Sequence, residues 1–226
     1  MRISILLLLA CSVSAVNLQI ILEPGPDWHH SFKTGLLTIH TTPQYAVWLT
    51  DSSGKYIATL SVSRKSAQSK FTGARKNSRP SALPVWAHTR GIKGDHNNFM
   101  PSEKNPLTDA VTSASLKNET KLICDVPDSL YGHDLRLRVE INNSMDFNEY
   151  FTKDAQVDNP GFNDKVNGQP SLVYEGILRS DKKYPDTLFL IGHGEPAGRN
   201  GTIYNDLSKI TTASHIVKKI IIMNYK

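Results

Sequence analysis

The run Leu135-Arg136-Leu137-Arg138-Val139-Glu140-Ile141 alternates apolar and charged side chains without a break. Successive side chains on a strand point to opposite faces. A period of two therefore puts Leu135, Leu137, Val139 and Ile141 on a buried face and Arg136, Arg138 and Glu140 on a wet one. The segment is predicted to be a strand with one covered side.

Residues 16–23, 34–41, 45–50, 55–62, 121–126, 171–177, 187–192 and 216–223 are short runs of Val, Ile, Leu, Thr and aromatics bounded by Gly, Pro, Asp and Ser, and they also read as strands. Asp51-Ser52-Ser53-Gly54 joins two of them with the residues of a tight reversal, which makes residues 45–62 a hairpin. Helical apolar spacing is confined to residues 67–74 and 207–216. Many short strands and few helices imply an all-β fold, an antiparallel Ig-like β-sandwich with one or two short helices in its long connections. Those connections are residues 64–108 and 143–170, a length that usually carries function or partial structure.

With 226 residues, 39% of them hydrophobic, the chain can bury a real core. That proportion, with 14 Gly, 12 Pro and 2 Cys, excludes a disordered, collagen-like or disulfide-stapled protein. The net charge of +5 arises from 26 basic and 21 acidic residues spread along the chain, and it defines no polyanion groove.

The first residues carry Arg2, an apolar run through Ala10, and the small-residue tripeptide Val13-Ser14-Ala15, the layout of a secretory signal. The predicted organisation is a signal peptide over residues 1–15 and one β-sandwich domain over 16–226. This places the mature protein outside the cytoplasm, periplasmic or secreted. No later apolar run approaches the roughly 20 residues of a spanning helix. Leu8-Leu9-Ala10-Cys11 offers an alternative, a bacterial lipobox in which Cys11 would be acylated. In either case Cys124 is the one free thiol of the mature chain, and its apolar run makes it a small core residue.

Ala46-Val47-Trp48-Leu49, followed by Gly54-Lys55-Tyr56-Ile57-Ala58-Thr59-Leu60, resembles the opening hairpin of the predicted periplasmic proteins grouped as domain of unknown function 2271. Arg79-Pro80-Ser81-Ala82-Leu83-Pro84-Val85-Trp86, Asp109-Ala110-Val111-Thr112-Ser113-Ala114-Ser115, Val139-Glu140-Ile141-Asn142 and Gly168-Gln169-Pro170-Ser171-Leu172-Val173-Tyr174 follow in that family's order. The resemblance spans residues 45–177. It implies a secreted sandwich protein that accompanies extracytoplasmic flavin-transfer and membrane-reductase components.

Asp109 to Ser115 also resembles the motif through which a flavin transferase links FMN by a phosphoester to a Thr or Ser hydroxyl. In that motif Gly stands at the place of Ser113 and Thr commonly at that of Ser115. An acceptor hydroxyl needs an exposed loop of small residues, which Ala110, Ser113 and Ala114 provide. The resemblance makes Ser115 the acceptor, with Thr112 and Asp109 beside it. The same residues also read as a polar connection in which Asp109 and Thr112 cap a turn or helix start.

The eight histidines show no metal-ligand spacing, and His29-His30 beside Trp28 reads as exposed loop. Gly192-His193-Gly194-Glu195-Pro196-Ala197-Gly198 is one residue too long for a dinucleotide fingerprint and reads as loop glycines, with His193 free to face a pocket. Arg64, Lys65, Lys70, Arg75, Lys76 and Arg79 form an acid-free basic stretch. Phe71 is its only aromatic, too few for nucleic-acid stacking, so the stretch reads as a solvated loop. The three tryptophans read as core. Asn118-Glu119-Thr120, Asn142-Asn143-Ser144 and Asn200-Gly201-Thr202 match the glycosylation pattern, which matters only in a eukaryotic secretory host. No GxSxG elbow, activated thiol or acid/base pair stands out, so no catalytic and no metal residue is assigned.

The sequence thus predicts an exported, non-catalytic β-sandwich without a cofactor of its own, a binding or accessory component of an extracytoplasmic redox system. Its partners would be a flavin transferase or membrane reductase components. The alternatives are an electron carrier with FMN on Ser115 and a structural or adhesive domain.

Overall fold

The computed structural model describes residues 15–69, 71, 79–94, 98–102, 107, 111–113, 120–159 and 161–225, with the backbone alone at 34 and 111–113. Cys11, Asp109 and Ser115 lie outside the described residues, as do Lys70, Arg75 and Lys76.

The strands are β1 (Ala15–Pro24), β2 (His30–Thr34), β3 (Leu37–Thr41), β4 (Gln44–Thr50), β5 (Tyr56–Ser63), β6 (Val111–Ser113), β7 (Thr120–Pro127), β8 (Leu135–Asn142), β9 (Leu172–Leu178), β10 (Asp186–Thr187), β11 (Phe189–His193) and β12 (Val217–Tyr225). Two short helices, α1 (Arg64–Gln68) and α2 (Pro84–Arg90), lie between β5 and β6. One sheet has the order β10-β12-β1-β7, the other β11-β9-β8-β4-β5-β6, and β2 and β3 form a separate hairpin. Among the described residues the strands pair antiparallel except β5 with β6. This is the predicted all-β sandwich.

The core lies between the sheets and follows the period of two. Val16, Leu18, Ile20 and Leu22 of β1 face Tyr45, Val47 and Leu49 of β4 and Leu135, Leu137, Val139 and Ile141 of β8. Each such side chain contributes about 1.5–3 kcal/mol by leaving water. Cys124 and Trp28 also belong to this core.

The opposite face of the six-stranded sheet is covered as well, and here the sequence reading is corrected. The long connection after β5 folds back over that face, packing Phe71, Leu83, Val85, Trp86 and Met100 on Ala46, Trp48, Val62 and Val173. This third layer is why every residue of β4 is buried. It also buries Glu140, placed by the alternation on a wet face. Arg136 and Arg138, nearer the other end of β8, remain partly exposed and pair with Glu175 of β9 at 2.7 and 2.8 Å.

Other departures are local. The segment 34–41 is not one strand, because a turn at Gly35 and Leu36 splits it into the β2–β3 hairpin. Residues 207–216 form turns and a short 3-10 segment at Thr212–His215 rather than a helix. The helix expected over 67–74 is α1, which begins earlier and ends where Ser69 turns left-handed, at φ 49°. Arg79 is not a solvated loop cation: it stacks on Phe71 and donates to Ser144 Oγ at 2.9 Å. Asn142 is 1% exposed and donates to the Gln169 carbonyl, which removes it as a glycan acceptor.

The strand registers define two ends. Asn143, just past β8, donates to the carbonyl of Asp27, just past β1, at 2.7 Å. The β2–β3 hairpin, the start of β4, the end of β8, the start of β9 and the end of β11 therefore gather at one end, here called the loop end. Ala15, Tyr225 and the turn at 51–54 lie at the other.

Candidate ligand groove at the loop end

β11 follows β9 in antiparallel register and brings His193 opposite Leu172 at the loop end. The chain then turns out and returns so that His193 and Tyr204 exchange two backbone hydrogen bonds, each 2.9 Å. Gly192 permits this close pass, since a Cβ there would lie 2.5 Å from the Tyr204 carbonyl oxygen. The bridge stacks the His193 ring on Tyr204, with centroids 5.6 Å apart and planes at 22°.

Beside this ring pair opens a groove of about 280 Å³, walled on its far side by Tyr150, Phe151 and Lys209 and bordered by Glu195 and Asp206. A wider hollow of about 570 Å³, lined by Asn148, Ser208 and Thr211, continues from it and shares Tyr150 and Lys209. The Lys209 ammonium lies 5.5 Å from the centre of the Tyr150 ring.

Side chains fix the walls. Asn148 donates to the carbonyl of Lys209 at 2.9 Å and to Thr211 Oγ1 at 3.2 Å, while its own oxygen accepts the N–H groups of Tyr150 and Phe151. Gln169 Oε1 accepts Thr211 N–H at 2.7 Å. Its amide nitrogen donates to Thr212 Oγ1, which in turn donates to Asp146 Oδ1 at 2.5 Å. Burial raises the Asp146 carboxyl above its ordinary value, against the Thr212 bond that lowers it. The result is a cross-braced pair of loops seated on two sheets, the rigid kind of setting that binding loops require.

The acids at the groove are committed to their own turns. Glu195 is 7% exposed and accepts from the N–H groups of Ala197 and Arg199 and from Arg199 Nε at 3.1 Å. Asp206 accepts the Ser208 N–H at 2.9 Å, and hydrogen bonds from Ser208 hold its carboxyl below the usual range. His193 Nδ1 lies 2.7 Å from the Gly194 carbonyl, so in the neutral ring Nδ1 carries the hydrogen and Nε2 keeps its lone pair. The groove therefore offers ring faces, one ammonium and one imidazole acceptor, with both of its carboxylates engaged by their own turns.

The residues singled out from sequence do not converge here. Thr112 lies on β6, whose pairing partner among the described residues is β5 at the edge of the six-stranded sheet. Val111–Ser113 is thus a strand, not the loop or cap position expected. Five strand spacings separate β6 from β11, about 24 Å. Of the described histidines, His193 alone lines the groove; His30 Nε2 lies 3.1 Å from the Met145 carbonyl at the base of the hairpin. Among the described residues, no three His, Cys, Asp or Glu side chains gather to hold a metal. Tyr150, Phe151, Tyr204, Asp206 and Lys209 were not legible as a site, and the one signal toward them was the length of the 143–170 connection.

Comparison with protein families, with curated proteins and with solved structures yields no match.

Proposed function

We propose that the protein is an exported, non-catalytic binding module serving an extracytoplasmic redox system, and that it engages its partner or ligand in the loop-end groove. One observation carries this reading. Tyr150, Tyr204 and Lys209 present ring faces and a cation in a braced hollow, while Glu195 and Asp206 spend their hydrogen bonds on their own turns. Such a surface is suited to recognition. The layout of residues 1–15 supports export. Cleavage after Ala15 would leave the pairing from Val16↔Val126 onward in place. The redox setting is supported by the resemblance of residues 45–177 to the domain of unknown function 2271.

The test is a photo-crosslinking amino acid placed at Tyr204 in living cells, with Ser53 as the control at the opposite end. The proposal expects adducts to a cell-envelope redox component from position 204 alone. No adduct from 204, or equal adducts from both positions, would refute it.

A second reading has its own observation. β6, which carries Thr112 of the Asp109–Ser115 motif, stands last in the order of the six-stranded sheet among the described residues. In that reading the protein carries FMN on Ser115. A flavin-sized mass increment after co-expression with a flavin transferase, lost in Ser115→Ala, would establish it.

A further inference from the structure

The β2–β3 hairpin stands apart from both sheets, yet it is the most apolar exposed feature among the described residues. At its tip Leu36 is 105% exposed and Leu37 70%, and Ile39 on the returning strand is 40% exposed. The register sorts its side chains by face. Phe32 pairs with Ile39, and the position of Leu37 is two residues along the same face. Ser31 pairs with His40 and Lys33 with Thr38 on the other face, where Ser31 Oγ and His40 Nδ1 are 2.7 Å apart. The hairpin is therefore amphipathic. A two-stranded ribbon gains little stability alone in water, so an uncovered apolar face of this kind calls for a cover.

We infer that this hairpin is a membrane-docking wedge that inserts Leu36 and Leu37 into the interface of an anionic lipid bilayer. Charge and shape select that occupant. No Asp or Glu occurs between Asp27 and Asp51, whereas Lys33 stands on the polar face of the hairpin, a cation without an acid nearby in the chain that an anionic headgroup layer attracts. The apolar residues sit on a projecting tip, and a Cβ built on Gly35 would have nothing within 4 Å. A bilayer accepts such a convex wedge without needing a matching pocket. The hairpin shares the loop end with the groove, so docking would hold the groove against the membrane surface. The inference goes beyond the proposed binding role and stands without it.

The test uses the full chain with Cys11→Ser, so that an environment-sensitive nitrobenzoxadiazole label reports Leu36→Cys or, at the far end, Ser53→Cys; Cys124 is buried. Vesicles of phosphatidylcholine are compared with vesicles containing phosphatidylglycerol. The wedge predicts a blue shift at 36 and none at 53. It also predicts partitioning about fivefold stronger with phosphatidylglycerol, and loss of the shift by about tenfold or more in Leu37→Glu. No shift at 36, equal shifts at both sites, or equal partitioning into the two lipids would overturn it. A shift at 36 that grows with protein concentration in the absence of vesicles would assign the tip to a second copy instead.

Discussion

The Glu140 carboxylate accepts the backbone N–H of Trp86 at 2.7 Å, and its other oxygen accepts those of Val85 at 3.1 Å and the Ser171 hydroxyl at 2.5 Å. A fully buried acid thus ties the start of α2 to the middle of the six-stranded sheet. Removing it leaves these donors unpaired, so Glu140→Ala should cost about 3 kcal/mol.

The same acid predicts a pH dependence. Burial raises its carboxyl from 4.5 to about 7, outweighing the three hydrogen bonds. Between those values the folded chain holds a proton that the unfolded chain has released, so stability should fall as pH rises through the window and level off above it. The change is about 3 kcal/mol. Glu140→Gln has no proton to lose and should remove this slope. Asp146, also raised by burial, leaves a residual slope of the same sign. Urea midpoints at the two ends of the window measure the difference, and identical slopes in parent and variant would count against the assignment.

Gly192 and Gly35 make a matched pair. An alanine at 192 would press on the Tyr204 carbonyl at 2.5 Å, where backbone cannot yield, whereas at 35 nothing lies within 4 Å. Gly192→Ala should cost about 1–3 kcal/mol and separate the His193–Tyr204 bridge, displacing the Tyr204 ring resonances. Gly35→Ala should cost about 1 kcal/mol of left-handed strain and leave those resonances in place.

Cys124 tests the sandwich core. Burial pushes its thiol up to about 12. In a Cys11→Ser chain a thiol reagent at mildly alkaline pH should fail to label the native protein and should label it fully in denaturant. Rapid native labelling would show that β7 does not pack inward as described.

The alternation at 135–141 made β8 and its inner face legible, because one period of two suffices to sort a strand facing a sheet. It could not reveal that α2, some fifty residues earlier in the chain, would cover Glu140 on the other side. The segment 34–41 looked continuous because its residues favour strands throughout, and the turn at Gly35 carries no flanking polar cluster to mark it. Residues 207–216 have helical spacing, yet Gln169 and Asp146 hold Thr211 and Thr212 from outside the segment. The groove was the least legible feature. Tyr150, His193, Tyr204 and Lys209 meet only after strand pairing and loop bracing, so no local spacing announces them.

The most direct measurement on the whole account is an intact and native mass spectrum of the protein taken from its own cell envelope. The account predicts a chain beginning at Val16 that retains a non-covalent companion, and loss of that companion in Tyr204→Ala. A chain of all 226 residues recovered from the cytosol, or a companion held equally well by the variant, would contradict it.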